Sequence, residues 1–130
     1  NKLINVLAGI YSNENNLDNC ILLNNKKNVA EFLNGNLFIV NENKIKTPSL
    51  DSGCLKGVMR KKIIEYSKFF PEYNLEETTI SPFELLSAKE IWLTNSILGI
   101  VPVTSYRNKI FTNDLAKIFI KFLNKKVTDF

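Results

Sequence analysis

The chain contains no histidine, and that absence removes more chemistry than any other feature of the sequence. The common zinc sets and the histidine-based nucleophile triads cannot be assembled from its residues, so no metal site is expected. Cysteine is nearly absent as well. Cys20 and Cys54 lie far apart and form no CxxC, which leaves an unlinked, packing thiol pair and a cytoplasmic location as the expectation. Arginine is limited to Arg60 and Arg107. The net charge of +4 invites an anionic partner, but the guanidinium forks that read bases and grip phosphates are scarce. A solvated Lys/Asn-rich surface with no nucleic-acid partner is the simpler expectation. No apolar run approaches the roughly 20 residues of a membrane-spanning helix, so no membrane partner is expected either. Internal repeats and low-complexity segments are also missing, apart from an enrichment in asparagine.

What remains is 130 residues with 45% hydrophobic content, enough for one domain with a real core. Leu3, Ile4, Val6, Leu7, Ile10 and Tyr11 fall at helical spacing and predict a helix over about residues 2–14. Short apolar runs at 19–23, 28–33, 36–41 and 44–47, separated by Asn/Lys/Gly turns, read as four strands of an antiparallel meander. Pro48 to Lys56 has loop chemistry, and Gly57 opens a helical pattern that Pro71 stops. A strand over 74–80 leads to Ser81-Pro82-Phe83-Glu84, a helix start with Ser at the N-cap, Pro at N1 and Glu at N3. Strands at 90–94 and 99–103 flank an Asn95-Ser96 turn, and Asn113-Asp114 begins a final amphipathic helix through about Leu123. The fold class expected is α/β with a mainly antiparallel sheet, or pseudo-barrel, flanked by helices.

Three segments could carry chemistry. In Val29-Ala-Glu-Phe-Leu-Asn-Gly-Asn-Leu-Phe38 a carboxylate, Glu31, sits between apolar residues. Strand alternation alone would turn it to solvent. If it is buried, it needs a cation or donors, and Gly35 beside it permits close backbone approach. In Ser52-Gly-Cys-Leu-Lys-Gly-Val-Met-Arg60 a loop with two glycines feeds a helix. That start is either an ordinary helix N-terminus or a phosphate site made of unpaired N–H groups. In Ile91-Trp-Leu-Thr-Asn-Ser-Ile-Leu-Gly-Ile-Val-Pro-Val103 two strands flank a Thr-Asn-Ser turn, which taken alone is only a turn.

In this order, the three segments resemble the class IV aminotransferases, the fold type IV pyridoxal-phosphate enzymes, over most of the chain from Glu31 to Val103. The resemblance implies that Glu31 faces the pyridine nitrogen of pyridoxal 5'-phosphate through a charge-assisted hydrogen bond. Gly57-Val58-Met59-Arg60 resembles the family's Gly-Ile-Thr-Arg or Gly-Ile-Met-Arg box. That match implies cofactor-phosphate binding by the backbone N–H groups of Val58 and Met59, ring packing by Leu55, and a mostly structural role for Arg60. Ser96 matches a hydroxyl that contacts the phosphate, and the amides around Ser96 and Ile97 match groups that face the substrate.

The same resemblance implies a homodimer and a small-molecule substrate, either an amino acid in a transamination or aminodeoxychorismate in a pyruvate-releasing lyase step. The Gly-Val-Met-Arg box and Asn95-Ser96 look more like the lyase branch. Asn1-Lys2-Leu3 resembles the start of the helix just after the family's aldimine lysine, so that lysine is expected upstream of Asn1, with Lys2 aligned to a different position. The chain would then be the C-terminal large domain, with no catalytic residue of its own and with the N-terminal domain elsewhere. It would be inactive alone and part of an enzyme when intact. The alternative is a non-catalytic binding or assembly domain with a basic surface.

Overall fold

The structure, a computed structural model, describes residues 3–7 and 20–128. Among the described residues, ten strands and three α-helices follow in the order β1 (Leu3–Leu7), β2 (Ile21–Asn24), β3 (Val29–Phe32), β4 (Asn36–Asn41), β5 (Lys44–Pro48), α1 (Val58–Tyr66), β6 (Asn74–Thr78), α2 (Pro82–Ser87), β7 (Glu90–Asn95), β8 (Gly99–Pro102), β9 (Ser105–Tyr106), β10 (Lys109–Ile110) and α3 (Asp114–Thr128). They form a three-stranded sheet ordered β1-β2-β3, a five-stranded sheet ordered β6-β5-β4-β7-β8, and the small β9-β10 hairpin. Antiparallel pairing dominates, as expected from the sequence. The exception is β5 with β6, which run parallel with α1 in the crossover between them.

Period-2 alternation in the central strands explains why the five-stranded sheet is covered on both faces. Leu37 and Ile39 of β4, with Ile91 and Leu93 of β7, enter one core with Ile21, Leu23, Val29 and Phe32 of the smaller sheet and Leu85 of α2. Phe38, Val40 and Trp92 turn the other way, onto Ile63 of α1 and Leu115, Ala116, Phe119 and Leu123 of α3.

Glu90, at the start of β7, joins α3 to the sheet. Its buried carboxylate accepts the N–H groups of Leu115 at 2.8 Å and Ala116 at 3.1 Å, and the indole N–H of Trp92 at 2.9 Å. It thereby caps the first turn of α3 from another element. At α2, Pro82 is the first helical residue and the Glu84 carboxylate accepts the Ser81 N–H at 3.0 Å, the start read from the sequence. Among the described residues no helix is long and apolar enough to cross a membrane.

Three expectations need correction. Leu3–Leu7 is a strand paired antiparallel with β2, not the first turns of a helix. A short run that is apolar at nearly every position satisfies both periods, and β2, the middle strand of its sheet, takes a partner on each side. The remainder of the expected helix, residues 8–14, lies outside the described residues. The meander is also interrupted. β3 and β4 belong to different sheets, and an isolated Phe32–Gly35 bridge marks the turn between them. Finally, α1 ends at Tyr66, and a 3-10 turn, Ser67–Phe69, carries the chain toward Pro71.

Candidate functional site

The break between β3 and β4 builds the site. Gly35 sits at the break, where a Cβ would fall 2.4 Å from the Thr94 carbonyl oxygen and 2.9 Å from Leu93 Cδ1. Only a residue without a side chain lets this turn lie so close to β7. All four residues of β3 are buried, Glu31 among them at 6% exposure. Alternation fails here because the strand is enclosed on both sides. The β2–β3 register shifts at this strand, Val29 and Phe32 both pack into the core, and Glu31 lies against the loop that precedes α1. From that loop the Leu55 N–H donates to Glu31 Oε1 at 2.9 Å, the one hydrogen bond of the carboxylate among the described residues. Burial pushes the Glu31 carboxyl above its ordinary value of 4.5, and the Leu55 N–H offsets this in part.

The loop is fixed from several directions. Arg60, buried in α1, donates to the Pro48 carbonyl at 3.2 Å and pairs with Glu77 at 2.6 Å. The Asn24 amide donates to the Ser52 carbonyl at 3.1 Å. The free thiol of buried Cys54 lies 3.6 Å from the carbonyls of Pro48 and Ser49, and burial pushes that thiol up. Gly53 turns the chain at φ 101°. Gly57 then sits at the N-cap of α1 with no side-chain cap, so the N–H groups of Val58 and Met59, the first two helical residues, have no acceptor within the helix.

Opposite this helix start, Asn95 organises the turn after β7. Its Oδ1 accepts the N–H of Ile97 at 3.0 Å and of Leu98 at 2.6 Å, while its Nδ2 donates to the Asn34 carbonyl at 3.0 Å. The two turns are thus tied together, with Ser96 exposed between them. Glu31, Leu55, Val58 and Ser96, together with Gly35, Asn36, Gly57 and Thr94, line a cavity of about 320 Å³.

Four of the six candidate residues therefore converge on one cavity. Met59 does not line it: its side chain packs with the α1–α3 core, and only its position at the helix start relates it to the site. Ile97 is 90% exposed near the mouth and its N–H is already bonded to Asn95. Two further residues stand inside the site and were not singled out from the sequence. Asn36 is 4% exposed and donates from Nδ2 to the Leu55 carbonyl at 2.9 Å. Thr94, its partner across β4 and β7, is fully buried with a hydroxyl that has no hydrogen-bond partner among the described residues. Both lie in apolar strand patterns, and the signal available was their polarity in runs that otherwise read as core.

A buried carboxylate, an uncapped helix start and an exposed hydroxyl around one cavity suit a ligand with a cationic or protonated ring at one end and an anion at the other. Comparison with known proteins gives the same direction. The family model described as amino-transferase class IV matches residues 1–106. The chain is 34% identical over 104 residues to the aminodeoxychorismate lyase of Vibrio harveyi, covering 80% of the chain and 38% of that protein. Among solved structures, a putative 4-amino-4-deoxychorismate lyase from Legionella pneumophila superposes with a TM-score of 0.77 at 28% identity, over 83% of this chain and 41% of that one. The branched-chain amino acid aminotransferase of Thermobaculum terrenum, in its PLP holo-form, superposes with a TM-score of 0.65 at 28% identity, over 72% and 30%. The chain thus spans about two fifths or less of the length of these relatives, and its three motif segments all fall within the matched residues. It belongs to the class IV aminotransferase family.

Proposed function

We propose that the cavity binds pyridoxal 5'-phosphate and that the intact protein is a class IV aminotransferase or 4-amino-4-deoxychorismate lyase acting on an amino-group substrate. The observation that carries this reading is Glu31, a buried carboxylate with one oxygen held by the Leu55 N–H and the other without a partner among the described residues. The donor set fits the cofactor. Glu31, the uncapped start of α1 and Ser96 all border the same cavity. Gly35 and Gly57 keep the wall free of side chains that would press into Thr94 and Asn36.

Each residue has a task in this reading. Glu31 holds a proton at the pyridine nitrogen, and its burial makes that charge-assisted bond stronger than it would be in water. The N–H groups of Val58 and Met59, with the Ser96 hydroxyl, bind the phosphate. Leu55, 72% exposed, offers its side chain to the ring face. Ile97 meets the substrate at the mouth through its exposed side chain, because its N–H serves Asn95. When bound, pyridoxal phosphate supplies an electron sink for negative charge at the substrate's Cα.

The lysine that anchors the cofactor belongs, in this reading, to the sequence upstream of Asn1, so the chain corresponds to the C-terminal large domain. A homodimer, on the strength of the resemblance, and a cytoplasmic location, on the strength of the free thiols of Cys20 and Cys54, complete the proposal. The test is an assay of the full-length protein with both substrate classes. Pyruvate released from aminodeoxychorismate without an added keto acid identifies the lyase. Amino transfer that depends on 2-oxoglutarate identifies the transaminase. Inactivity with both, together with salt-sensitive nucleic-acid binding, would replace this reading with a basic binding module.

A further inference from the structure

Leu55 is held at both of its backbone polar groups by side chains from across the break between the sheets. Its N–H goes to Glu31 Oε1 at 2.9 Å and its carbonyl accepts from Asn36 Nδ2 at 2.9 Å. The other end of the Asn36 amide lies against Gly57, where an added Cβ would fall 2.2 Å from Oδ1. One buried amide therefore touches both the residue that holds the ring-facing carboxylate and the N-cap of the helix that offers its N–H groups to the phosphate.

We infer that Asn36 is a positioning residue that sets Glu31 and the start of α1 in register through the Leu55–Gly57 backbone. This deepens the reading of the cavity as a pyridoxal-phosphate site and rests on it. The rest of the loop does not need Asn36 for its shape. Arg60 holds the Pro48 carbonyl, Asn24 holds that of Ser52, and the Cys54 thiol lies on the carbonyls of Pro48 and Ser49. Loss of the Asn36 amide therefore releases residues 55–57 selectively. The ring-facing carboxylate keeps its place in β3, but the phosphate-facing N–H groups lose their fixed distance from it.

The test is equilibrium titration of the full-length, cofactor-free protein with pyridoxal 5'-phosphate and with pyridoxal, which lacks the phosphate. The ratio of the two affinities reads the phosphate end alone, and a merely structural role for Asn36 would not move it. Asn36→Ala is expected to lower that preference about tenfold, the scale of one lost side-chain hydrogen bond. Gly57→Ala is expected to lower it similarly, because the new methyl evicts the amide. The double variant is expected to be no worse than either single one, since the clash is gone. Asn36→Ser serves as the second variant if alanine at the buried position prevents folding. A preference equal to wild type in either Asn36 variant, or losses that simply add in the double variant, would overturn the inference. A wild-type protein that binds neither compound would instead overturn the reading of the cavity as a cofactor site.

Discussion

Replacing Glu31 by glutamine keeps the shape of the side chain and removes its charge, and the consequences in the cofactor-free and loaded protein should have opposite signs. The glutamine oxygen can still accept the Leu55 N–H, which lies 2.9 Å from Oε1, but an NH2 donor replaces the second oxygen. A hydrogen bond to a charged group contributes about 1.5–3 kcal/mol and a neutral one about 0.5–1.5. The difference of about 1–2 kcal/mol corresponds to roughly five- to thirtyfold weaker support for a protonated ring nitrogen. Turnover of the full-length Glu31→Gln protein should fall at least that far, with cofactor binding partly retained. Without cofactor, burial holds the folded carboxyl above its ordinary value of 4.5. The folded state then binds more protons than the unfolded one between 4.5 and that raised value. The contribution of Glu31 to stability is complete below 4.5 and is lost as pH rises through the folded value. Glutamine has no such loss. Urea unfolding of the cofactor-free protein in steps from about pH 4 to about pH 8 should show a flatter decline for the variant. An unchanged pH slope together with unchanged turnover would refute the assignment of Glu31 to a desolvated, ring-facing position.

Three other perturbations probe the frame around the site. Gly35→Ala places a methyl 2.4 Å from the Thr94 carbonyl oxygen, a backbone atom that cannot turn aside. Urea unfolding should show a loss of about 1–3 kcal/mol, and no loss would contradict the close packing of that turn on β7. Glu90→Ala removes the acceptor for Leu115, Ala116 and Trp92 and should cost about 2–4 kcal/mol as buried donors lose their charged acceptor, with α3 loosening first by hydrogen exchange. Glu90→Gln, which keeps one acceptor oxygen, should recover part of that stability, and a cost near zero for alanine would show that α3 docks without the cap. Ser96→Ala should weaken pyridoxal-phosphate binding while Ser96→Thr preserves it, measured by titration. Equal affinity in all three proteins would remove the hydroxyl from the phosphate site.

The central sheet was legible because β4 and β7 carry large apolar residues in consecutive positions, as strands covered on both faces do, and the starts of α1 and α2 were marked by Gly57 and Ser81-Pro82. The candidate site was legible as three segments in a family order, whereas its geometry was not. Local alternation sends Glu31 to solvent, and the residue that encloses it, Leu55, lies 24 positions away. Asn36 and Glu90 read as ordinary strand residues for the same reason, because the groups they hold come from a loop 19 residues on and a helix 25 residues on. The strand at Leu3–Leu7 was misread because a short run of apolar residues carries no unambiguous period. The parallel pairing of β5 with β6 depends on a crossover through α1 that turn chemistry does not record.

The most direct measurement is a crystal structure of the full-length protein with pyridoxal 5'-phosphate. The expected result has the pyridine nitrogen within about 3 Å of the Glu31 carboxylate, the phosphate on the Val58 and Met59 N–H groups and the Ser96 hydroxyl, and the Asn36 amide still on the Leu55 carbonyl. A cofactor bound elsewhere, or one in this cavity with Glu31 turned away from its ring nitrogen, would contradict the assignment.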